Sequence, residues 1–516
     1  RRWVLVPVPF ADRVGVIVTA LGAASIVPLV YLAILRDVYR RRHPAAPHQE
    51  PNPNNPAMRP RTAIAFAAVA CALLWFGWPA TPSYVEFRQA RGLPASLQEL
   101  NDWYADPPES ENQAATLMAL ARERNGLEHQ YRRWFQLNET DLIGPKSHEG
   151  DSFTTSYDFF LYIVGGESVP RAQPLARVQW NVTASYWERV TATIAPKLRD
   201  VTSADLTESR YPVDLTEGYH VFLEHLDPQR ILGRELALDA LYWIVDGQPD
   251  RAIDDVAAGF ALPDSLENEP LMISQFVRLS MLEQAIQSAV LVLVRSNPSE
   301  IQLDRLQRIV EDVDREALAD SMRRALVGES TMALDVVNQY NVGSDSLEDA
   351  TTGTLGLAYR LAFPADAQRA VLSMQMTPAT ETDRFDSWAE VHRRNWRTSD
   401  DDTIAAYMFI APTVAYLTPS LTGIWNVYFR TTTGLDLLSL AIAMERYRLA
   451  TGDIPNSLDA LVPRFIPEVP VDPFSPTDES VQLLVDEAGE YTLFSVGRDG
   501  IDHTAKPWDK RYNRDD

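Results

Sequence analysis

Two long stretches of apolar residues without charged side chains lie near the start of the sequence. Val14–Leu35 has 22 residues, which would span about 33 Å as a helix and so cross the roughly 30 Å hydrocarbon core of a bilayer. Thr62–Pro79 has 18 residues and closes with Trp75 and Trp78, aromatic side chains that suit the membrane–water interface. Both stretches predict transmembrane helices. A signal peptide is the alternative for the first, although no small-residue cleavage site follows it.

The arginines around these stretches predict how the chain is oriented in the membrane. The loop 36–61 carries six arginines, whereas only Arg88 and Arg91 occur between the second stretch and residue 100. Because arginine-rich loops stay on the cytoplasmic side, we expect this loop inside the cell and the large C-terminal part outside. The predicted segments are a flank with the first transmembrane helix (1–35), an Arg/Pro-rich loop (36–61) and the second transmembrane helix (62–79).

Apolar positions at helical spacing dominate residues 80–430 and predict a large helical domain. Ser96 and Glu99 have the spacing of a capping box, in which two side chains satisfy free backbone N–H groups at a helix start. Between Ile231 and Leu326, apolar helical segments alternate with short Gly- and Pro-containing turns, a pattern typical of stacked helical hairpins. The turn Asp246–Pro249 is similar to that of tetratricopeptide-like units, but generic packing of helix pairs explains the same pattern.

One uncharged stretch inside this domain allows two interpretations. Residues 403–429 contain no charged side chain, but they include Pro412, Pro419 and Asn426. These residues favour a buried pair of helices over a lipid-facing helix. A re-entrant segment or a third span is the alternative.

The pattern changes in 431–516, where a helix is followed by an extended loop and two short strands. Gly452 and Asp453 interrupt the helix, and four prolines between positions 463 and 473 favour an extended chain. In the last strand, Tyr491 and Leu493 alternate with Thr492 and Phe494, as expected for a strand with one buried face. These elements predict a small α+β module.

The residues of this module resemble, in order, those of the globular domain of the major pseudopilin of type II secretion. The shared segments are Ala443–Arg448, Gly452–Pro455, Leu458–Val462, Val469–Phe474 and Tyr491–Gly500. The chain as a whole also resembles a group of uncharacterised bacterial two-span membrane proteins. A pseudopilin carries the domain directly after one N-terminal span, whereas a long helical region intervenes here. The resemblance therefore implies recognition or docking rather than assembly into a fibre.

The pseudopilin resemblance also implies a calcium site in the closing turn. In that family a serine and an aspartate of the turn, together with a later aspartate, hold a calcium ion. The matching residues here are Ser495 and Asp499, and Asp502 and Asp509 are the candidates for the later ligand. Calcium prefers such hydroxyl and carboxylate oxygens. The alternative is a tight turn without an ion, since Gly and Asp tolerate positive φ.

Composition and motifs exclude several other functions. The sequence has 47 basic and 71 acidic side chains, a net charge of −24, which argues against binding to nucleic acid. A single cysteine, Cys71, excludes an intrachain disulfide and a cysteine-based zinc site. The pair His220 and His225 lacks the spacing of four that a zinc-binding helix needs, and Asp254 with Asp255 is expected to be solvated. No catalytic residue or organic cofactor is predicted.

The sequence therefore predicts a mainly α protein of the bacterial inner membrane, with a helical domain (80–430) and a pseudopilin-like module (431–516) outside the cytoplasm. We expect a multi-pass, membrane-anchored and non-enzymatic envelope protein that binds other proteins and is linked to secretion or envelope assembly. The alternative is a membrane-anchored hydrolase whose site lies in a cleft between the helical domain and the C-terminal module.

Overall fold

The computed structural model describes residues 84–104, 107–108, 112–143, 183–342, 421–475, 477–485 and 491–497. The two predicted transmembrane segments, the loop 36–61 and the predicted ligands Asp499, Asp502 and Asp509 lie outside these ranges. The chain divides into two compact units. The described part of the first comprises 84–91 and 336–342, and the second comprises the other described residues. All sites discussed below belong to the second unit.

The described chain is mainly helical, with one two-stranded sheet. The helices are α1 (Tyr84–Gln89), α2 (Leu97–Trp103), α3 (Ala114–Ile143), α4 (Ala192–Thr202), α5 (Leu226–Val245), α6 (Pro249–Ala261), α7 (Met272–Arg295), α8 (Glu300–Glu311), α9 (Arg315–Val342) and α10 (Leu421–Thr451). The shorter elements are a π-helical turn (Trp187–Thr191), three 3₁₀ helices (Leu215–His220, Leu262–Leu266 and Leu458–Leu461) and the strands β1 (Gln482–Val485) and β2 (Tyr491–Phe494). The prediction of a mainly helical protein is confirmed.

Helices α5 to α8 are the predicted helical segments between Ile231 and Leu326, and they pack together. Helix α5 contacts α6 and α7, and α6 also contacts α7 and α8. The turn between α5 and α6 depends on Gly247, whose φ of 74° favours glycine, and Pro249 opens α6 at a position that needs no N–H. A Cβ on Gly259 would lie 3.5 Å from the Ala285 Cβ, so small residues allow α6 and α7 to approach closely.

The start of α2 differs slightly from the predicted capping box. The Glu99 N–H donates to the Ser96 hydroxyl at 3.2 Å, as expected. The Glu99 carboxylate, however, accepts from the N–H of Ala95 at 2.7 Å rather than from that of Ser96. The serine still caps the helix, and the glutamate holds the chain one residue earlier.

Helix α7 is the helix among the described residues that is long and apolar enough to cross a membrane, with a mean hydropathy of 1.4 in its most apolar window. Half of that window is buried inside the protein, because α7 packs against α5, α6 and α10. Such burial is the pattern of a core helix.

The C-terminal module packs through α10 on the array of helices α5 to α8, called the helical array below. This helix contacts α7 and α8, and Gln307 of α8 donates a hydrogen bond to the Phe465 carbonyl at 2.5 Å. Inside the module, Leu440, Leu461 and Ile466 are buried in one apolar core. Strands β1 and β2 are antiparallel, with Leu483 opposite Leu493. The prediction of a helix followed by a two-stranded hairpin is confirmed.

Candidate functional site

The 218–225 loop connects a 3₁₀ helix to α5 and begins with a backbone turn that requires glycine. Asp214 caps the 3₁₀ helix, since its carboxylate accepts from the Thr216 N–H at 3.0 Å. Gly218 then adopts φ 57° and ψ −130°, a conformation that side-chain-bearing residues rarely adopt. A Cβ at this position would also lie 3.3 Å from Leu97 Cδ1 of α2. The backbone conformation of Gly218 and its close packing against Leu97 together fix the position at which the loop begins.

The far end of the 218–225 loop is held by a buried cluster around His225. The His225 Nε2 atom lies 2.8 Å from Glu269 Oε2, and both residues are buried. Ser274 donates its hydroxyl to the other carboxylate oxygen of Glu269 at 2.5 Å. The Tyr211 ring stacks on the imidazole with 4.2 Å between centroids. Since buried polar groups are costly to separate from their partners, this end of the loop has a defined position.

Between these two ends the loop exposes an aromatic side chain. Phe222 is 79% exposed, although its neighbours Val221 and Leu223 pack against the hydrophobic core. Tyr219 is partly exposed and donates its hydroxyl to the Glu329 carbonyl at 3.4 Å. The Glu329 carboxylate accepts from the N–H of Met272, which places the start of α7 beside the loop. Phe222 thus projects into solvent from a backbone that is fixed on both sides.

The structure separates the two histidines that the sequence places five residues apart. His220 is exposed at the end of the 3₁₀ helix, whereas His225 is buried against Glu269. The two side chains therefore do not share one helix face. The described segment between them is not one continuous helix, so the reason is the turn rather than the rotation along a helix. Sequence reasoning missed the role of His225 as a buried partner for Glu269.

A second polar cluster is buried between α4, α5 and α6. Arg199 Nη1 donates to Asp239 Oδ2 at 2.6 Å and also contacts Asp255 Oδ1. Trp187 Nε1 donates to Asp239 Oδ1 at 2.5 Å. Burial, and the Asp239 carboxylate next to it, raise the pKa of Asp255 to about 9. The expectation that Asp255 is solvated is wrong: it faces the neighbouring helices and is only 1% exposed.

The π-helical turn before α4 positions Trp187 and Thr191 for these contacts. The Ala192 N–H donates to the Trp187 carbonyl five residues earlier, and π-helical turns often occur at functional sites. Thr191 donates its hydroxyl to Glu235 Oε2 at 2.6 Å, and Arg124 Nε donates to Glu235 Oε1 at 2.7 Å. The cluster around Glu235 therefore joins α3, the π-helical turn and α5, and the cluster around Asp239 joins α4, α5 and α6, both through charge-assisted hydrogen bonds.

Of the predicted calcium ligands, Ser495 is the one within the described residues, and its hydroxyl donates to Asp472 Oδ1 at 2.8 Å. The same Asp472 carboxylate accepts from the N–H groups of Phe474 and Val496 at 2.9 and 2.8 Å. The Gly497 N–H donates to the Ser495 hydroxyl oxygen at 3.0 Å. Asp472 therefore holds the end of β2 onto the proline-rich loop, a role that sequence reasoning missed.

Comparisons with known proteins give no relative for this chain. No family model matches it, and neither a curated protein nor a solved structure does. Within the described ranges, no group of three or more His, Cys, Asp or Glu side chains is arranged to hold a metal ion. The candidate site is therefore defined by its geometry alone.

The geometry distinguishes the 218–225 loop from the two buried clusters. In the clusters around Glu235 and Asp239, carboxylates are paired with arginines between packed helices, where breaking one pair would be strongly destabilising. In the loop, an aromatic side chain of the type enriched in protein interfaces faces solvent. The loop can therefore bind another apolar surface by burying Phe222 against it.

Proposed function

We propose that the protein is a membrane-anchored, non-enzymatic binding protein of the bacterial envelope. The helical domain and the pseudopilin-like module would form the part outside the cytoplasm that recognises other proteins. The observation that carries the binding proposal is the exposure of Phe222 on a loop whose two ends are held by Gly218 and by the His225–Glu269 pair.

A fixed loop favours binding for an energetic reason. Burying a phenylalanine side chain contributes roughly 1.5–3 kcal/mol, but ordering a mobile loop on binding would offset much of that gain. Here the contacts of His225, Tyr219 and Leu223 already fix the backbone. Most of the free energy from burying Phe222 therefore remains for the complex, as in the central residues of known interfaces.

We expect a photo-crosslinking amino acid at position 222 to give a protein adduct in intact cells. The matched control is the same amino acid at Ile301, which is 80% exposed on α8. Adducts are detected by immunoblotting of the full chain. In addition, Phe222→Ala should reduce the amount of the crosslinked partner that is recovered with the full chain about tenfold or more. It should leave the melting temperature unchanged, because the exposed side chain contributes little packing.

Two results would contradict the binding proposal. One is the absence of an adduct at position 222, and the other is an equal yield at 222 and at Ile301. A large drop in the melting temperature of Phe222→Ala would instead assign the side chain to folding rather than to binding.

The membrane anchor rests on the two apolar stretches Val14–Leu35 and Thr62–Pro79 and on the arginines between them. A reporter fused after Asp516 that is active only outside the cytoplasm tests the orientation, and a cytoplasmic signal would reverse it. The C-terminal module is proposed to be pseudopilin-like because its helix, proline-rich loop and hairpin follow the order of that domain.

Calcium binding in the closing turn is proposed on the same resemblance, with ligands Ser495, Asp499, Asp502 and Asp509. The Ser495 hydroxyl oxygen accepts one hydrogen bond, from Gly497, and retains a lone pair for a cation. Thermal unfolding of the full chain with and without millimolar calcium tests the site. No rise in the melting temperature at millimolar calcium, and no change in it on Asp499→Ala, would eliminate the site.

A further inference from the structure

A narrow cleft lies where α5, α6 and α7 cross, next to the buried Asp239–Asp255 pair. Its walls are small or apolar at most positions, including Gly233, Gly259 and Ala285. The space open to the centre of a water molecule is about 10 Å³. That volume is close to the minimum that holds one water molecule.

Two buried oxygen atoms in the walls of this cleft lack a partner. Asp255 Oδ2 has no hydrogen-bond partner in the described part of the chain, and the same is true of Gln284 Oε1. Asp255 is almost completely buried. Leaving a buried polar atom unpaired costs about 1–3 kcal/mol, so two such atoms on residues that line one cleft favour a small hydrogen-bond donor between them.

We propose that the cleft is a binding site for one water molecule, held between Asp255 Oδ2 and Gln284 Oε1. Both oxygens are acceptors, and a water molecule has two hydrogens to donate. A third polar group, Ser288, also lines the cleft. Its hydroxyl donates to the Gln284 main-chain carbonyl at 3.0 Å, so the two hydrogens of the water remain for Asp255 Oδ2 and Gln284 Oε1.

The charges around Asp255 explain why the donor is neutral. Arg199 contributes one positive charge to the two carboxylates of Asp239 and Asp255. Burial and the neighbouring Asp239 carboxylate raise the pKa of Asp255 to about 9. At neutral pH Asp255 therefore holds a proton, and the pair carries a single negative charge, which Arg199 matches. Asp255 Oδ2 then needs a hydrogen-bond donor rather than a cation.

Gly233 keeps the site open. A Cβ at this position would lie 3.0 Å from Gln284 Oε1, closer than most side-chain contacts allow. Glycine inside a helix is otherwise unfavourable relative to alanine. Its position on α5 is explained by the space that the Gln284 amide and the water molecule require.

The direct test is a crystal structure of the full chain at a resolution where ordered waters are visible. We expect one density peak within hydrogen-bond distance of both Asp255 Oδ2 and Gln284 Oε1. An empty cleft, or a direct hydrogen bond between the two side chains, would overturn the proposal.

A second test depends on the sign of a stability change. Gln284→Met keeps the length of the side chain but removes its oxygen. If water is bound, the substitution deprives it of a partner, and the equilibrium constant for unfolding rises about two- to tenfold. If the cleft is dry, removing an unpaired oxygen lowers that constant, and the proposal fails. The control is Gln287→Met, the same substitution at an exposed position of α7.

Discussion

Asp254 and Asp255 are neighbours in sequence but lie in different environments. Asp254 is partly exposed and pairs with Arg305, whereas Asp255 is buried beside Asp239 and Arg199. Successive residues of a helix differ by about 100° in direction, so one faces solvent while the next faces α5. The sequence predicts the helix from its apolar period. It does not predict which carboxylate is buried, because the arginine partner is more than fifty residues away.

We expect Asp255→Asn to change how stability depends on pH. The folded-state pKa of about 9 lies well above the ordinary value of 3.8. Between these values the folded protein holds a proton that the unfolded chain releases. The free energy of unfolding therefore falls as pH rises through this range, by up to about 1.4 kcal/mol per pH unit from this group. Asn at this position can still accept from Arg199 and does not titrate.

Urea unfolding of the full chain between pH 5 and 9 measures this effect, and the range follows from the pKa of about 9. The variant should match or exceed the wild type in stability at pH 7, and its decline towards alkaline pH should be shallower. Asp254→Asn is the control, since an exposed ion pair contributes at most about 1 kcal/mol. Parallel pH profiles for wild type and Asp255→Asn would refute the assignment.

The helices α5 to α8 begin and end near the positions that the apolar pattern and turn residues indicate, because burial of one face and local turn chemistry favour the same structure. The π-helical turn at Trp187–Thr191 was not predicted. It is compatible with Pro196 inside α4, but its contacts to Asp239 and Glu235 come from α5. Such features depend on tertiary contacts that an element's own sequence does not contain.

At the element scale, a glycine of α9 sets how closely the helix approaches the loop before α7. A Cβ on Gly328 would lie 1.8 Å from the Pro270 carbonyl oxygen, far inside contact distance. Helix propensity alone would make Gly328→Ala stabilising by up to about 1 kcal/mol. We expect the opposite sign, a loss of about 3 kcal/mol or more, because backbone on both sides must shift.

Gly126→Ala on α3 is the matched control for this prediction. A Cβ at Gly126 meets nothing within 4 Å, so here the propensity gain should appear. Urea unfolding of both full-length variants gives the two changes in free energy of unfolding. Equal effects at the two glycines would show that α9 and the Pro270 loop are not held together as described.

The association of the C-terminal module with the helical array is a property of the whole second unit. Helix α10 begins at Leu421, upstream of the predicted module boundary at 431, and Arg430 near its start pairs with Glu283 of α7. The Phe429 ring contacts the Phe474 ring of the module at 6.2 Å. The elements of the module could be predicted from local pattern. Their attachment could not, because it depends on polar contacts between residues about 140–160 positions apart.

Arg446 connects the module to the helical array, and its substitution should loosen the attachment. Its guanidinium donates to Glu300 at 2.8–2.9 Å and to Gln307 at 2.8 Å. Arg446→Met should lower the free energy of unfolding by about 1–2 kcal/mol, since a charge-assisted network at a half-buried site is lost. Arg448→Met is the control, because Arg448 pairs with Glu445 on its own helix. Hydrogen exchange of the full chain should speed up in β1, β2 and the end of α10 for Arg446→Met alone. Equal acceleration in both variants would mean that the module is stabilised by its own core rather than by its contact with α8.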